Sequence, residues 1–316
     1  MSDAAAPARG KNPPVRKREI FGWAMYDFAN SSYTTVVISL VYSAFFTEYI
    51  VPEGAARDTY WSVAIILSTI VAIILSPLVG AICDFTGRKK RYLGYTTLVC
   101  ALGTMALFFA GPGNIWLAVA FIAISNAGFM LGESFCGSFL TDLATKDNMG
   151  KISGLGWGLG YFGGLMSVAL VMFGVVTASE LEQPALYISQ NQTAMLVTGV
   201  FFALAAVPTF LFVRERAEPH PDYVDASLGE LMRAGFSEML DSYKLARQYD
   251  VLFKFFLAFT VYMAGLEVII KFVGIYAKQE LGLDAGQLVV IVLALQISAA
   301  VGALAFGVLE GRLGPK

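Results

Sequence analysis

The chain has 316 residues, of which 57% are hydrophobic and only 15% charged, with a mean hydropathy of +0.65. Soluble domains carry about 25% charged residues, so one aqueous core cannot hide this apolar surface and the solvent must be lipid. The net charge of −2 points to no particular partner, and nothing in the charge pattern calls for nucleic acid.

The three cysteines, Cys83, Cys100 and Cys136, fall in or beside apolar runs, which is packing rather than a disulfide framework or a metal cluster. The single histidine, His220, lies between prolines in a polar stretch, which argues against intramembrane zinc or Ser-His-Asp chemistry. There is no P-loop, no HExxH and no nucleophile elbow, so neither an enzyme nor a cofactor is expected.

Residues 1–19 are polar and basic and read as a cytoplasmic tail. A helix needs about 20 mostly apolar residues to cross the hydrocarbon. Eight such runs follow, at 20–50, 60–83, 92–111, 115–140, 154–178, 193–213, 253–278 and 288–309. The first six form an N-terminal unit, 20–213; a polar linker, 214–252, separates it from the last two, in 253–316. With the N-terminus inside, nineteen of the 22 Lys and Arg fall on the cytoplasmic side, the asymmetry that sets orientation. The expected location is therefore a cell membrane, crossed many times, of the bacterial inner-membrane kind. Within the linker, Ser227 and Glu230 have capping-box spacing. Leu228, Leu231, Met232, Phe236, Met239, Leu240 and Tyr243 then recur at helical spacing, predicting an amphipathic helix along the cytoplasmic interface.

The junction after the second run carries Gly80, Asp84, Gly87 and four consecutive basic residues, Arg88 to Arg91. A positive-inside anchor explains the basic residues but not the two glycines and the acid at fixed offsets. A weaker copy, Gly307, Glu310 and Gly314 with Arg312, follows the eighth run. The first block resembles the loop between helices 2 and 3 of the major facilitator superfamily. Two further segments narrow the resemblance to the branch of vacuolar amino-acid effluxers and their bacterial relatives. One is Gly22-Trp23-Ala24-Met25-Tyr26-Asp27-Phe28-Ala29-Asn30 at the start of helix 1. The other is the glycine-rich opening of helix 5, Gly154 to Gly164 around Trp157 and Tyr161. Phe139-Leu140-Thr141-Asp142 is similar to that branch's Phe-Leu-Pro-Asp, and helix 7 departs from the pattern, with Glu267 two residues after Gly265.

The resemblance implies an all-α major-facilitator-like bundle with the spans in a 6 + 2 arrangement. Its second half is incomplete, as in a chain truncated after helix 8. It also implies secondary transport of a small solute by alternating access, proton-linked, with helices 1, 4, 7 and 10 around the cavity. Gly80, Asp84, Gly87, Arg88 and Arg91 would be the gating motif. A non-transporting scaffold or receptor built on a transporter remnant is the alternative.

Charges within spans are costly and usually functional. Asp27 lies seven residues into helix 1, on the order of 10 Å from its inner end. Glu133 lies nine residues before Asp142, roughly 13 Å from the same side. Their similar depth makes them, with Asn30, the expected solute and proton groups. The structural alternative has Asp27 bracing the helix entrance and Glu133 pairing with Asn126 or Ser134. Glu267 and Lys271 are four apart and expected to pair, with Lys271 open to a substrate carboxylate. Trp157 and Tyr161, also four apart, form either an aromatic cavity wall or ordinary packing. Gly156, Gly160 and Gly164 make a small-residue stripe suited to close helix crossing.

Overall fold

The computed structural model describes residues 14–54, 56–145, 148–216, 218–223 and 226–313. Among these residues there are only helices, turns and loops. Eight helices are long and apolar enough to cross a membrane. They are α1 (Lys17–Ile50), α2 (Arg57–Thr86), α3 (Lys89–Phe109), α4 (Ile115–Leu143), α5 (Met149–Gly174), α6 (Pro184–Phe212), α8 (Asp250–Gln279) and α9 (Ala285–Leu313). Between α6 and α8 lies the polar-faced α7 (Leu228–Gln248).

Most helices run past the apolar stretches seen in sequence. Intrahelical hydrogen bonding continues after hydrophobicity ends, because the polar ends of a spanning helix sit in the interface. Thus α1 starts at Lys17, not residue 20, and α6 at Pro184, not 193. By contrast α5 ends early, at Gly174 rather than 178: the amides of Thr177 and Ala178 turn to Gln190 Oε1, at 2.9 and 2.8 Å.

The loops divide the bundle into two rims. One rim, where α1 begins, carries the basic residues of the α2–α3 and α6–α7 connections; we call it the basic rim and its opposite the far rim. At the basic rim the His220 amide bonds the Phe85 carbonyl, and at the far rim the Gly113 amide bonds the Ile50 carbonyl. Helix α1 packs along α5 and α6, α4 packs between α2 and α3, α3 also meets α6, and α9 runs along α5.

Two features shape α1. It is interrupted by π-helical turns at Thr34–Leu40 and Phe46–Ile50, both toward the far rim. Such turns place an extra residue in the helix and re-aim the side chains after it. The other feature is closeness: a Cβ at Gly163 of α5 would overlap the Phe28 carbonyl, and one at Gly160 would lie 2.9 Å from Ser31 Oγ. The small-residue stripe therefore lets the α1 backbone touch α5 directly.

The linker helix begins as its capping box requires. The Glu230 amide donates to Ser227 Oγ at 3.3 Å, while the Ser227 amide donates to Glu230 Oε2 at 2.7 Å. These bonds hold the Glu230 carboxyl below its usual range. Helix α7 does not simply lie along the bundle: Leu231 is buried and Gly235 seats against the Pro77 carbonyl of α2. Phe236, Met239, Leu240 and Tyr243 remain exposed on its adjoining face.

A contrast of two glycines tests the α1–α5 contact. Gly163→Ala should cost about 1–3 kcal/mol, as overpacking does. Gly137→Ala on α4, where nothing lies within 4 Å, should be neutral or stabilise by up to about 1 kcal/mol through helix propensity. Apparent Tm of the two purified variants in detergent measures the difference.

Candidate functional site

The site is built on one helix. Trp23, Tyr26, Asn30 and Tyr33 follow the three-four-three spacing that puts side chains on one face of α1. Each reaches a neighbour. Trp23 Nε1 donates to the Cys136 carbonyl at 2.9 Å, and the Tyr26 hydroxyl bonds Thr97 Oγ1 at 3.1 Å. Asn30 Nδ2 donates to Glu133 Oε1 at 2.9 Å, and the Tyr33 hydroxyl bonds Ser125 Oγ at 2.9 Å. These bonds to α3 and α4 satisfy polar tips inside the bundle, while the buried Asn30 Oδ1 has no partner among the described residues.

The partner of Glu133 is thus Asn30. Asn126 instead donates to Ser68 Oγ at 2.7 Å, and Ser134 to its own helix at Met130. Asp27 lies one turn beyond Trp23, toward α5. A Cβ at Gly156 would stand 2.5 Å from Asp27 Oδ2, so the glycine makes the space the carboxylate occupies. Asp27 finds no hydrogen-bond donor among the described residues. It is in electrostatic contact with Glu133, and Glu133 in turn with Glu267 of α8. Asp27 of α1, Glu133 of α4 and Glu267 of α8 thus form a chain of acids in electrostatic reach of one another in turn. Lys271 joins them through Glu267 Oε2, at 2.8 Å and four residues on; its side chain is 16% exposed against 49% for Glu267.

Trp157 and Tyr161 lie on α5, four residues apart. On α5 their positions lie between Gly156 and Gly160, which face α1, and Gly158, which faces Leu304 of α9. The two rings, 6.3 Å apart, therefore project into the cleft between α1 and α9. Trp157 is 60% exposed, so ordinary packing does not account for it. Nearby, Gln296 of α9 donates to Thr35 Oγ1 at 3.2 Å, within the first π-helical turn of α1.

The gating motif differs in detail from expectation. Gly87 ends α2 in the left-handed conformation, at φ 60°, which a side chain disfavours. Gly80, however, has nothing within 4 Å of where a Cβ would be, so it accommodates no close helix among the described residues. Arg88 and Arg91 stay exposed, Arg91 lying over the Tyr95 ring and donating to its hydroxyl at 2.8 Å. The buried cation is Lys89, whose Nζ is 2.8 Å from Asp142 Oδ2 and 3.4 Å from the Ser138 carbonyl. Lys90 Nζ donates to the Val213 carbonyl at 2.7 Å, and its amide to Glu215 Oε2 at 2.8 Å. Burial outweighs that bond and the nearby lysines and pushes the Glu215 carboxyl above its usual range. Asp84 is exposed, in electrostatic contact with Lys89 and Glu238.

Helical spacing reaches only the local pairs, such as Glu267–Lys271 and Arg91–Tyr95; the other partners are remote in the chain. It also misses Glu19, fully buried and held by Arg216 at 2.8 Å. The α1 face was the available signal: four polar-tipped residues at helical spacing in an apolar run. Of the second-half echo, Gly307 and Glu310 belong to α9, but their side chains, like the whole of Gly314, lie outside the described residues.

An all-helical bundle with eight helices able to span a membrane, among the described residues, is the architecture of a multi-pass membrane protein of the major facilitator type. The family model described as vacuole effluxer Atg22-like matches residues 49–316, and the chain belongs to that family. It is 29% identical over 298 residues to the uncharacterized MFS-type transporter YxiO of Bacillus subtilis, covering 92% of this chain and 67% of that protein. It is 25% identical over 152 residues to the uncharacterized symporter YnaJ of the same species, covering 47% and 32%. It is 20% identical over 352 aligned positions to autophagy-related protein 22 of Kluyveromyces lactis, covering 96% and 70%. The matched region thus leaves about a third of the longer-matching relatives uncovered.

Asp142→Asn should strand the Lys89 ammonium. The expected cost is about 2–3 kcal/mol, below that of a fully buried pair because Asp142 keeps some contact with water. Replacing both residues by leucine should restore most of it. Thermal unfolding of the single and double variants checks this.

Proposed function

We propose that the protein moves a small polar solute, of the amino-acid class, across a bacterial cell membrane by proton-linked alternating access. The observation that carries this reading is three acids inside spanning helices, Asp27 without a donor, Glu133 bonded to Asn30 and Glu267 paired with Lys271. Ionisable side chains inside spans belong to substrate paths and proton relays. Asp27, lacking a donor, is free to receive a solute ammonium or a proton. Lys271, resting on Glu267, can exchange that partner for a solute carboxylate. Trp157 and Tyr161 supply an apolar wall for a side chain. The family's description as an effluxer and the naming of one relative as a symporter agree with solute movement tied to an ion.

In this reading the basic rim faces the cytoplasm, following the distribution of Lys and Arg. Residues 20–213 are one half of the transporter, 214–252 the cytoplasmic linker, and 253–316 the start of the second half. The halves rock about a site near the midplane. Gly87 and the Lys89–Asp142 pair brace the basic rim.

The test is flux into proteoliposomes containing the full-length protein, with an imposed proton gradient and a panel of amino acids first screened by thermal shift. Gradient-dependent flux should fall at least tenfold, the factor equivalent to about 1.4 kcal/mol, in Asp27→Asn and Glu133→Gln. Flux indifferent to both substitutions overturns the site, and flux indifferent to the gradient overturns proton coupling.

A further inference from the structure

Contacts between α8 and the first six helices are concentrated at the far rim. Toward the basic rim α8 is bare, with Val251, Phe255, Phe259 and Tyr262 exposed. Toward the far rim Gly274 seats against the Ser39 carbonyl and Leu40, on the π-helical turn of α1. Ile275 and Ala277 are buried beside it. One turn earlier, the fully buried Trp61 of α2 donates Nε1 to the Lys271 carbonyl at 3.2 Å. That bond fixes the α8 backbone at the residue whose side chain reaches the acid cluster.

Above this seat sits a compact polar cluster. Lys278 Nζ of α8 lies 2.6 Å from Glu180 Oε1 in the α5–α6 connection. The Tyr49 hydroxyl, at the end of α1, donates to the same oxygen at 2.7 Å. The Lys278 ammonium also stands 5.9 Å from the Tyr49 ring centroid, a cation–π distance. The gap beneath, between Leu40, Met172, Tyr187 and Leu288, is about 30 Å³, room for a water molecule or two and not for a solute.

We propose that Tyr49, Glu180 and Lys278 are the outer gate: a three-residue latch that holds α8 on α1 and must open before a solute reaches Asp27 from the far side. The proposal rests on the transport reading above. Its chemistry suits a reversible closure. The two charges are only partly shielded, with side chains 15% and 27% exposed, so water can take over their hydrogen bonds when they part. A purely apolar seal would open at the full cost of its exposed surface. Burial works against charge on Glu180, but the bonds from Lys278 and Tyr49 outweigh it and hold its carboxyl below the usual range. The latch and the acid cluster share one helix. Lys278 and Lys271 are seven residues apart on α8, about 10 Å by helical rise, with the Gly274 seat between them.

The latch can be tested without measuring flux. In full-length protein with Cys83, Cys100 and Cys136 replaced by serine, Met130→Cys places a thiol one turn from Glu133, on its far-rim side. A membrane-impermeant thiol reagent is applied to intact cells. Glu180→Gln and Lys278→Met should each raise the labelling rate about fivefold or more, the scale of a coupling between sites. The exchange Glu180→Lys with Lys278→Glu should return it to the starting rate. Tyr49→Phe, which removes a single hydroxyl, should give a smaller rise and decides the matter if either charge variant fails to fold. Unchanged labelling in the variants that fold, or an exchange as fast as the single variants, overturns the gate. Altered labelling in a protein that carries no solute in liposomes overturns the transport reading and leaves the gate standing.

Discussion

The close approach of α1 to α5 is the constraint on which the rest of the structure depends. With a side chain at Gly163 the Phe28 carbonyl would be displaced, and with one at Gly156 the Asp27 carboxylate would lose its place. Separating these helices would move the face of α1 that bonds α3 and α4 through Trp23, Tyr26, Asn30 and Tyr33. Lipid gives apolar helices little reason to prefer one another over acyl chains, so backbone proximity and interhelical hydrogen bonds hold the arrangement. The same contacts that hold α1 in place also set the depth and direction of the acids in the cleft.

Charge is handled differently at the three levels of the bundle. At the basic rim buried charges are paired: Glu19 with Arg216, and Lys89 with Asp142. At the far rim Glu180 meets Lys278 at the edge of water. Within the spans Glu267 meets Lys271, Glu133 accepts from Asn30, and Asp27 has no donor among the described residues. A surplus of acid in the interior has no structural benefit, since each unpaired charge lowers stability.

The parts legible in sequence were those written in neighbouring residues. The eight spans followed from apolar length, the start of α7 from Ser227 and Glu230, and the Glu267–Lys271 pair from helical spacing. The loop block was visible as a pattern, yet its spacing could not tell which basic residue turns inward. That is Lys89, because Asp142 waits on α4 at the height reached after the Gly87 turn. At Gly80 likewise the pattern is silent on packing: nothing among the described residues lies within 4 Å of where its Cβ would be.

The sequence by itself determined that this chain lives in lipid, how many times it can cross, and that Asp27 and Glu133 lie at similar depth. Hydropathy and helical rise are properties of each segment alone. Only the tertiary structure decided that Asn30 rather than Asn126 meets Glu133. It alone brought Glu267 of α8 within electrostatic reach of Glu133 and joined Tyr49, Glu180 and Lys278 across three elements. Those outcomes depend on helix rotation and, for Tyr49, on the register shift introduced by the π-helical turn of α1 that precedes it. Both are fixed by packing among helices far apart in the chain.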